Sequence, residues 1–280
     1  GRLCTKGATL HLSAAPDTLI ARALYPELRN SRDEARQRVS WDTALDTAAD
    51  KFAAIIAEHG PDAVAIYGAG QLLTEDYYVF NKLMKGLIGS NNLDTNSRLC
   101  MSSAVAGYKL SLGADAPPCS YEDIANTKAL FIAGSNTAFA HPIAFRRVED
   151  ARKANPDIQL VVIDPRRTDT AEAADLHLAL LPGTDIALYN AMLHIMLWEG
   201  WVNREYVDAH TEGFDALKKV VREYTPAMAA TICGLDKKHI EQAAQIFATS
   251  PATMSMYCQG LNQFSFGTHN NSALINLHLA

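Results

Sequence analysis

Apolar residues recur with a helical period in the first third of this chain. Ser40 is a good helix cap and Gly60–Pro61 is a helix stop, so the segment between them is predicted to form one long helix. The spacing of three, four or seven places one set of side chains on a single face. That set is Trp41, Leu45, Ala48, Phe52, Ile55 and Ile56.

Short apolar runs then alternate with helical patterns along the rest of the chain. Strands are predicted within DAVAIYGAG, KALFIAGSN, QLVVIDPRR, LHLALLPG and TMSMYCQG. Helices are predicted over residues 75–87, after Cys100, over 142–155, from a capping Thr184 to Gly200, and in two or three segments between 204 and 249. The segment SNNLDTNSR is predicted to be a polar turn. Strands that alternate with helices predict an α/β fold with a parallel sheet covered by helices on both faces.

Composition narrows the class of protein. The 280 residues are 48% hydrophobic and 20% charged, which is typical of a globular chain. The net charge of -6 argues against nucleic acid and anionic membranes as partners. The five cysteines form no C-x-x-C pair, so we expect a reducing, cytoplasmic location and no disulfide framework. The chain starts without Met and stops within a helical pattern, and we therefore expect an internal piece of a longer protein.

Polar and glycine-rich loops follow the predicted strands. In an open parallel sheet, ligands bind beyond the carboxyl ends of the strands. Those ends read GAGQ, AGSNTAFAHP, DPRRT and LPGTD. Asp164 is placed like the acidic residue that binds ribose hydroxyls, and Asp185 is able to accept the N–H donors of a guanine edge. The G-x-G-x-x-G fingerprint of a plain NAD site is absent, so another nucleotide-like ligand is predicted.

Cys100 stands where the polar segment changes to a helical pattern. Asp94, Asn96 and Ser97 are turn and cap formers, so Cys100 is predicted to lie near a helix N-terminus. The helix dipole favours a thiolate there, which suits a nucleophile or a soft metal ligand. The alternative is a small buried apolar side chain, a common role for free cysteine.

Seven segments together carry a resemblance to a known family. They are GRLCTKG, YGAGQ, NSRLCMSSAVAGY, GSNTAFAHP, VVIDPRRTDTA, LPGTD and CQGLNQ. In content and order they resemble the molybdopterin oxidoreductases that carry a bis-guanine-dinucleotide molybdenum cofactor, and most of all the assimilatory nitrate reductases. The resemblance implies the Rossmann-like parallel-sheet domains of that fold. It also implies three parts: residues 1–19 as the end of an iron–sulfur domain, 20–95 as part of a first α/β domain, and 96–280 as a second, nucleotide-binding α/β domain.

The resemblance assigns roles residue by residue. Cys100 matches the cysteine that binds molybdenum, and Met101 beside it is expected at the catalytic centre. Cys4 matches the last thiolate of a [4Fe–4S] motif whose other three ligands would lie outside this chain. Lys6 matches a lysine between the cluster and a pterin. The remaining cofactor-binding residues implied are Gln71, Asn96, Gly134, Ser135, Asn136, Thr137, Asp164, Pro165, Arg166, Arg167, Thr168, Gly183, Thr184, Asp185, Gln259 and Gln263.

Three functions remain open on this basis. The first is reduction of nitrate to nitrite, with electrons delivered through the cluster by a ferredoxin, a flavodoxin or a reductase subunit. The second is formate oxidation, but formate dehydrogenases of the family usually have a proton-handling histidine where this chain has Met101. The third is an iron–sulfur scaffold subunit without molybdenum, against which the presence of Cys100 and Lys6 argues.

Overall fold

The computed structural model describes residues 3–19 and 22–280. These divide into two compact units at the bond between Leu99 and Cys100. The sequence placed the start of the second α/β domain at residue 96, and the division of the chain into three domains remains a prediction.

The first unit consists of short elements around one long helix. Its helices are α1 (Thr5–Ala8), α2 (Pro16–Leu19), α3 (Trp41–His59) and α4 (Thr74–Asn81). Its strands are β1 (Glu27–Leu28), β2 (Gln37–Arg38), β3 (Ile66–Gly68) and β4 (Leu93–Thr95). Single turns of 3-10 helix cover Leu10–Ala14 and Pro61–Ala63, and a π-helical segment, Lys82–Ile88, continues α4. Helix α5 (Asn96–Leu112) begins in this unit and crosses the division.

Helix α3 has the predicted limits, but its apolar face is not covered within the unit. The Ser40 hydroxyl accepts the backbone N–H of Thr43 at 3.1 Å, and Gly60 ends the helix at φ +84°. Trp41 and Leu45 are 64% and 61% exposed. Helical periodicity predicts that such a face exists and does not specify what packs on it.

The segment SNNLDTNSR is not a turn, as the sequence predicted. Leu93–Thr95 forms β4, which pairs in parallel with β3, and Ile66 lies opposite Leu93. The helix then starts directly at Asn96. Asn and Asp have low strand propensity, and the pairing with β3 overrides it here.

The second unit contains most of the regular structure. Its strands are β5 (Ala129–Ala133), β6 (Gln159–Ile163), β7 (Leu176–Leu178) and β8 (Thr253–Tyr257). Its helices after α5 are α6 (Thr137–Ala140), α7 (Pro142–Ala154), α8 (Asp169–Glu172), α9 (Asp185–Trp198), α10 (Arg204–His210), α11 (Phe214–Val221), α12 (Pro226–Cys233), α13 (Lys237–Thr249), α14 (Gln259–Asn262) and α15 (Gly267–Leu279). A 3-10 turn covers Tyr121–Ala125.

These four strands form one parallel sheet in the order β7-β6-β5-β8. Ala133 at the end of β5 lies opposite Ile163 of β6 on one side and Tyr257 of β8 on the other. The strands therefore end at a common edge, and the loops that follow them meet there.

Helices cover both faces of this sheet, which confirms the predicted α/β class. Phe131 and Ala133 pack into a cluster with residues of α9, α13 and α15. Leu130 and Ile132, which alternate with them, pack on the other face into a cluster that includes Phe145 of α7. All five residues of β5 are buried. A strand that is apolar at every position is typical of a sheet buried on both sides.

Two helix details in this unit differ from the sequence predictions. Thr184 precedes α9 but does not cap it, because its hydroxyl donates to the carbonyl of Leu181 at 2.7 Å. The sequence patterns predicted no helix at the position of α12, although Thr225 followed by Pro226 is a helix-start signal. In the structure the Thr225 hydroxyl caps this helix by accepting the N–H of Met228 at 3.3 Å.

Across the described part of the chain, no helix combines the length and the apolar composition needed to cross a bilayer.

Candidate functional site

A cleft of about 420 Å³ lies at the carboxyl edge of the four-stranded sheet. Predicted cofactor-binding residues on its wall are Gly134, Asn136, Asp164, Pro165, Arg166, Gly183, Asp185, Gln259 and Gln263. The apolar part of the wall is Ile163, Leu180, Pro182 and Phe264. Loops from separate strands thus contribute to one cleft, as the parallel topology requires. The GAGQ loop belongs to the first unit, where it follows β3, and β3 pairs with β4 in a sheet of its own.

Two glycines bring the loops after β5 and β8 into direct backbone contact. Gly134 has φ +54°, and a Cβ built on it would lie 2.7 Å from the carbonyl carbon of Gly260. The N–H of Gly260 donates to the carbonyl oxygen of Gly134 at 3.0 Å. A side chain at either position would separate the two loops, so the floor of the cleft requires glycine at both.

Two buried carboxylates face the cleft. Asp164 and Asp185 are each 6% exposed. The Asp164 carboxylate accepts the backbone N–H of Arg166 at 2.8 Å, which fixes the turn after β6. Burial raises the pKa of Asp185, and the negative charge of Asp164 raises it further. Acceptor groups held at this energetic cost are suited to a ligand that presents N–H or O–H donors.

Several predicted residues of the same loops do not line the cleft. The hydroxyls of Ser135 and Thr137, both buried, pair with each other at 2.9 Å. Arg167 pairs with Glu172 through two hydrogen bonds of 2.7 and 3.1 Å at the surface. The Thr168 hydroxyl caps α8 by accepting the N–H of Ala171 at 3.4 Å.

Cys100 lies in the second turn of its helix, not at the helix terminus. Because α5 starts at Asn96, Cys100 is its fifth residue and lies beyond the orphan N–H groups of the first turn. The free N–H groups at the start of the helix therefore belong to the residues before Cys100. Instead, the Gln259 side-chain amide donates to Cys100 Sγ at 3.1 Å. Met101, the next residue, is 43% exposed.

The other predicted residues belong to the first unit. Cys4 precedes α1, and the backbone N–H of Gly7 lowers the pKa of its thiol. Lys6 and Gln71 are exposed. The Asn96 side-chain oxygen accepts the N–H of Gly70 at 2.5 Å, which ties the GAGQ loop to the start of α5.

Sequence reasoning missed the cleft residue Gly260 and the buried residue Tyr189, which is close in sequence to Asp185. Gly260 was not selected, although it follows a strand in the same way as Gly134, and that position was the available signal. Tyr189 lies one turn after Asp185 on α9, is fully buried, and its hydroxyl has no partner among the described residues. Burial raises the pKa of Tyr189. No sequence signal separates this tyrosine from an ordinary core residue.

Within residues 3–19 and 22–280, no cluster of three or more His, Cys, Asp or Glu side chains is arranged to hold a metal ion.

Comparison with known proteins decides the family. The sequence profile described as molybdopterin oxidoreductase matches residues 22–280. The chain belongs to this molybdopterin oxidoreductase family.

A nitrate reductase of Synechocystis is 43% identical to this chain over 279 residues. The alignment covers 100% of this chain and 38% of the relative. Formate dehydrogenase H of Escherichia coli is 35% identical, covering 99% of the chain and 39% of the relative. Acetylene hydratase from Pelobacter acetylenicus has a similar structure, with a TM-score of 0.79, 27% identity, and coverage of 98% of this chain and 37% of that one. The chain thus spans between a third and two fifths of the length of these proteins.

The residues at the cleft fit a molybdopterin cofactor that bears a nucleotide. The glycine pair keeps the loops after β5 and β8 in backbone contact at the floor of the cleft, and Arg166 on the wall adds a positive charge that suits a phosphate group. The buried Gln259 side-chain oxygen has no partner among the described residues, so a hydrogen-bond acceptor is available beside Cys100.

Proposed function

We propose that this chain is part of the catalytic subunit of a molybdenum-dependent nitrate reductase. The observation that carries the proposal is the 43% identity along the whole chain to a relative named nitrate reductase, against 35% to one named formate dehydrogenase. When bound, the molybdenum cofactor would supply the two-electron reduction of nitrate, with two protons, to nitrite and water.

The cofactor in this proposal is the bis-guanine-dinucleotide form. Asp185 is an acceptor-only carboxylate in a buried position, and the adjacent N–H donors of a guanine would relieve its desolvation. Asp164 would accept ribose hydroxyls, and Arg166 would offset phosphate charge. Gly134 would keep the loop after β5 against the loop after β8, which shapes the floor of the cleft below the phosphate. Ser135, Thr137 and Thr184 would act indirectly, by holding the shape of their loops.

Cys100 would provide the protein's sulfur ligand to molybdenum. A thiolate is a soft ligand suited to a redox-active metal. Met101 would line the substrate side, where its thioether offers no proton.

In this proposal Cys4 would provide one thiolate ligand of a [4Fe–4S] cluster, and the cluster would supply one-electron transfer when bound. Such a cluster needs four thiolates, so three would come from outside this chain. Lys6 would offset negative charge between the cluster and a pterin. The donor would be a ferredoxin, a flavodoxin or a reductase subunit, in the cytoplasm as the cysteine usage suggests.

Formate oxidation is the second candidate, and the relatives named formate dehydrogenase support it. Formate oxidation benefits from a fixed proton acceptor beside the metal. Met101 is unable to titrate, and this favours nitrate.

The full-length, cofactor-loaded protein tests the choice with two dye reactions. We expect nitrate to oxidise a reduced viologen dye and formate to reduce no oxidised dye. Formate-dependent dye reduction with nitrate inert would establish the second candidate instead. Metal analysis should find molybdenum and iron; iron without molybdenum would indicate a scaffold subunit.

A further inference from the structure

Gln259 and Cys100 are 159 residues apart in sequence, yet their side chains are joined. The amide nitrogen of Gln259, at the start of α14, donates to Cys100 Sγ in α5 at 3.1 Å. A glutamine amide has a donor end and an acceptor end, and this contact uses the donor end.

Close packing fixes the helix that carries the sulfur. A Cβ built on Gly107 of α5 would lie 2.7 Å from Cβ of Asn271 in α15. A Cβ on Gly267, which starts α15, would lie 2.9 Å from Cβ of Ser103. Helices α5 and α15 therefore touch at a distance that only glycine permits.

Hydrogen bonds fix the segment that carries the amide to the same frame. The Asn271 side chain donates to the side-chain oxygen of Asn262, in α14, at 3.0 Å. The N–H of Gly260, next to Gln259, donates to the carbonyl of Gly134 at 3.0 Å. Both partners of the amide–sulfur contact are thus held by backbone that has little freedom to move.

The acceptor end of the same amide is buried and has no partner among the residues that the structure describes. A buried carbonyl oxygen without a donor is costly, and native structures rarely keep one without a reason. A donor that arrives with a ligand would satisfy it.

From these contacts we infer that Gln259 is a positioning residue with two functions. Its N–H₂ fixes the Cys100 sulfur, and its oxygen accepts a hydrogen bond from an N–H or O–H group of the bound molybdenum cofactor. This inference rests on the proposed role of Cys100 as the molybdenum ligand. Hydrogen bonds to a ligand sulfur withdraw charge from it and favour the reduced metal, so their loss lowers the reduction potential.

Two substitutions separate the two functions in the full-length enzyme. Gln259→Glu keeps the shape and an oxygen acceptor but replaces the amide donor, whereas Gln259→Met removes both groups. Gln245→Met makes the same chemical change at an exposed site on α13 and is the matched control. The measurements are the Mo(V) electron paramagnetic resonance spectrum, the molybdenum midpoint potential by redox titration, and molybdenum content per protein.

We expect altered g-values and a lower midpoint potential in both Gln259 variants, and a lower molybdenum content in Gln259→Met than in Gln259→Glu. The control should match the wild type in all three. Wild-type g-values and potential in both variants, with molybdenum present, would overturn the sulfur-positioning function. Full molybdenum content in Gln259→Met would overturn the acceptor function.

The Cys100→Ser variant distinguishes a failure of the proposed function from a failure of this inference. If Cys100→Ser kept the wild-type Mo(V) spectrum, Cys100 would not be the ligand, whatever the Gln259 variants did. If Cys100→Ser lost that spectrum while the Gln259 variants kept it, only the present inference would fail.

Discussion

The contact between Gly134 and Gly260 predicts a large effect of a single added methyl group. In Gly134→Ala, the new Cβ would lie 2.7 Å from both the carbonyl carbon of Gly260 and the nitrogen of Leu261. These are backbone atoms and do not rotate away. The backbone of residue 134 must also keep φ +54° with a side chain attached.

The two costs add to an estimate for the loss of stability. Holding a residue other than glycine in the left-handed region costs about 1–2 kcal/mol. Overpacking by one methyl group against rigid neighbours costs about 1–3 kcal/mol. We therefore expect Gly134→Ala to lower the free energy of unfolding by about 2–5 kcal/mol, and to widen the cleft at the point where phosphate would bind.

Gly200→Ala is the matched control in the same unit. Gly200 has φ +73°, and a Cβ there would meet no atom of the described residues within 4 Å. It should cost only the backbone part, about 1–2 kcal/mol. Urea unfolding of the full-length protein followed by tryptophan fluorescence measures both, and nucleotide analysis of the released cofactor measures retention. Equal losses in the two variants, with full cofactor retention in Gly134→Ala, would refute the close-contact argument.

Three further predictions address two charged positions and the proposed molybdenum ligand. Burial raises the pKa of Asp185, so the cofactor-free protein loses stability as the pH rises from the ordinary carboxyl pKa through the raised one. Asp185→Asn should remove this loss, and urea unfolding should find the variant more stable than the wild type at pH 7 and equally stable at pH 3. The cofactor content of the purified variant should fall. Arg166→Ala should lower the content of guanine nucleotide released from purified protein several-fold more than Arg167→Ala, since Arg167 is already paired with Glu172; equal losses would contradict the assignment. Cys100→Ala should abolish nitrate-dependent viologen oxidation while circular dichroism stays unchanged, because the half-buried thiol contributes little packing; unaltered turnover with molybdenum retained would exclude Cys100 as the ligand.

Local patterns determined the class of fold and most of the residues at the cleft. The apolar run of β5 and the helical periods around it are properties of neighbouring residues, and so they can be found in the chain itself. The carboxyl ends of parallel strands meet at one edge, which is why Gly134, Asp164 and Asp185 could be expected together before any coordinates.

Pairing between distant segments was decided only by the tertiary structure. The pairing of β3 with β4 placed the GAGQ loop in a separate sheet and moved the start of α5 back to Asn96. Arg167 binds Glu172 although the adjacent Arg166 lines the cleft, and two neighbouring arginines carry no local mark of that difference. The Gln259 amide reaches Cys100 across 159 positions of sequence. Such contacts depend on how whole elements pack, and periodicity describes each element only by itself.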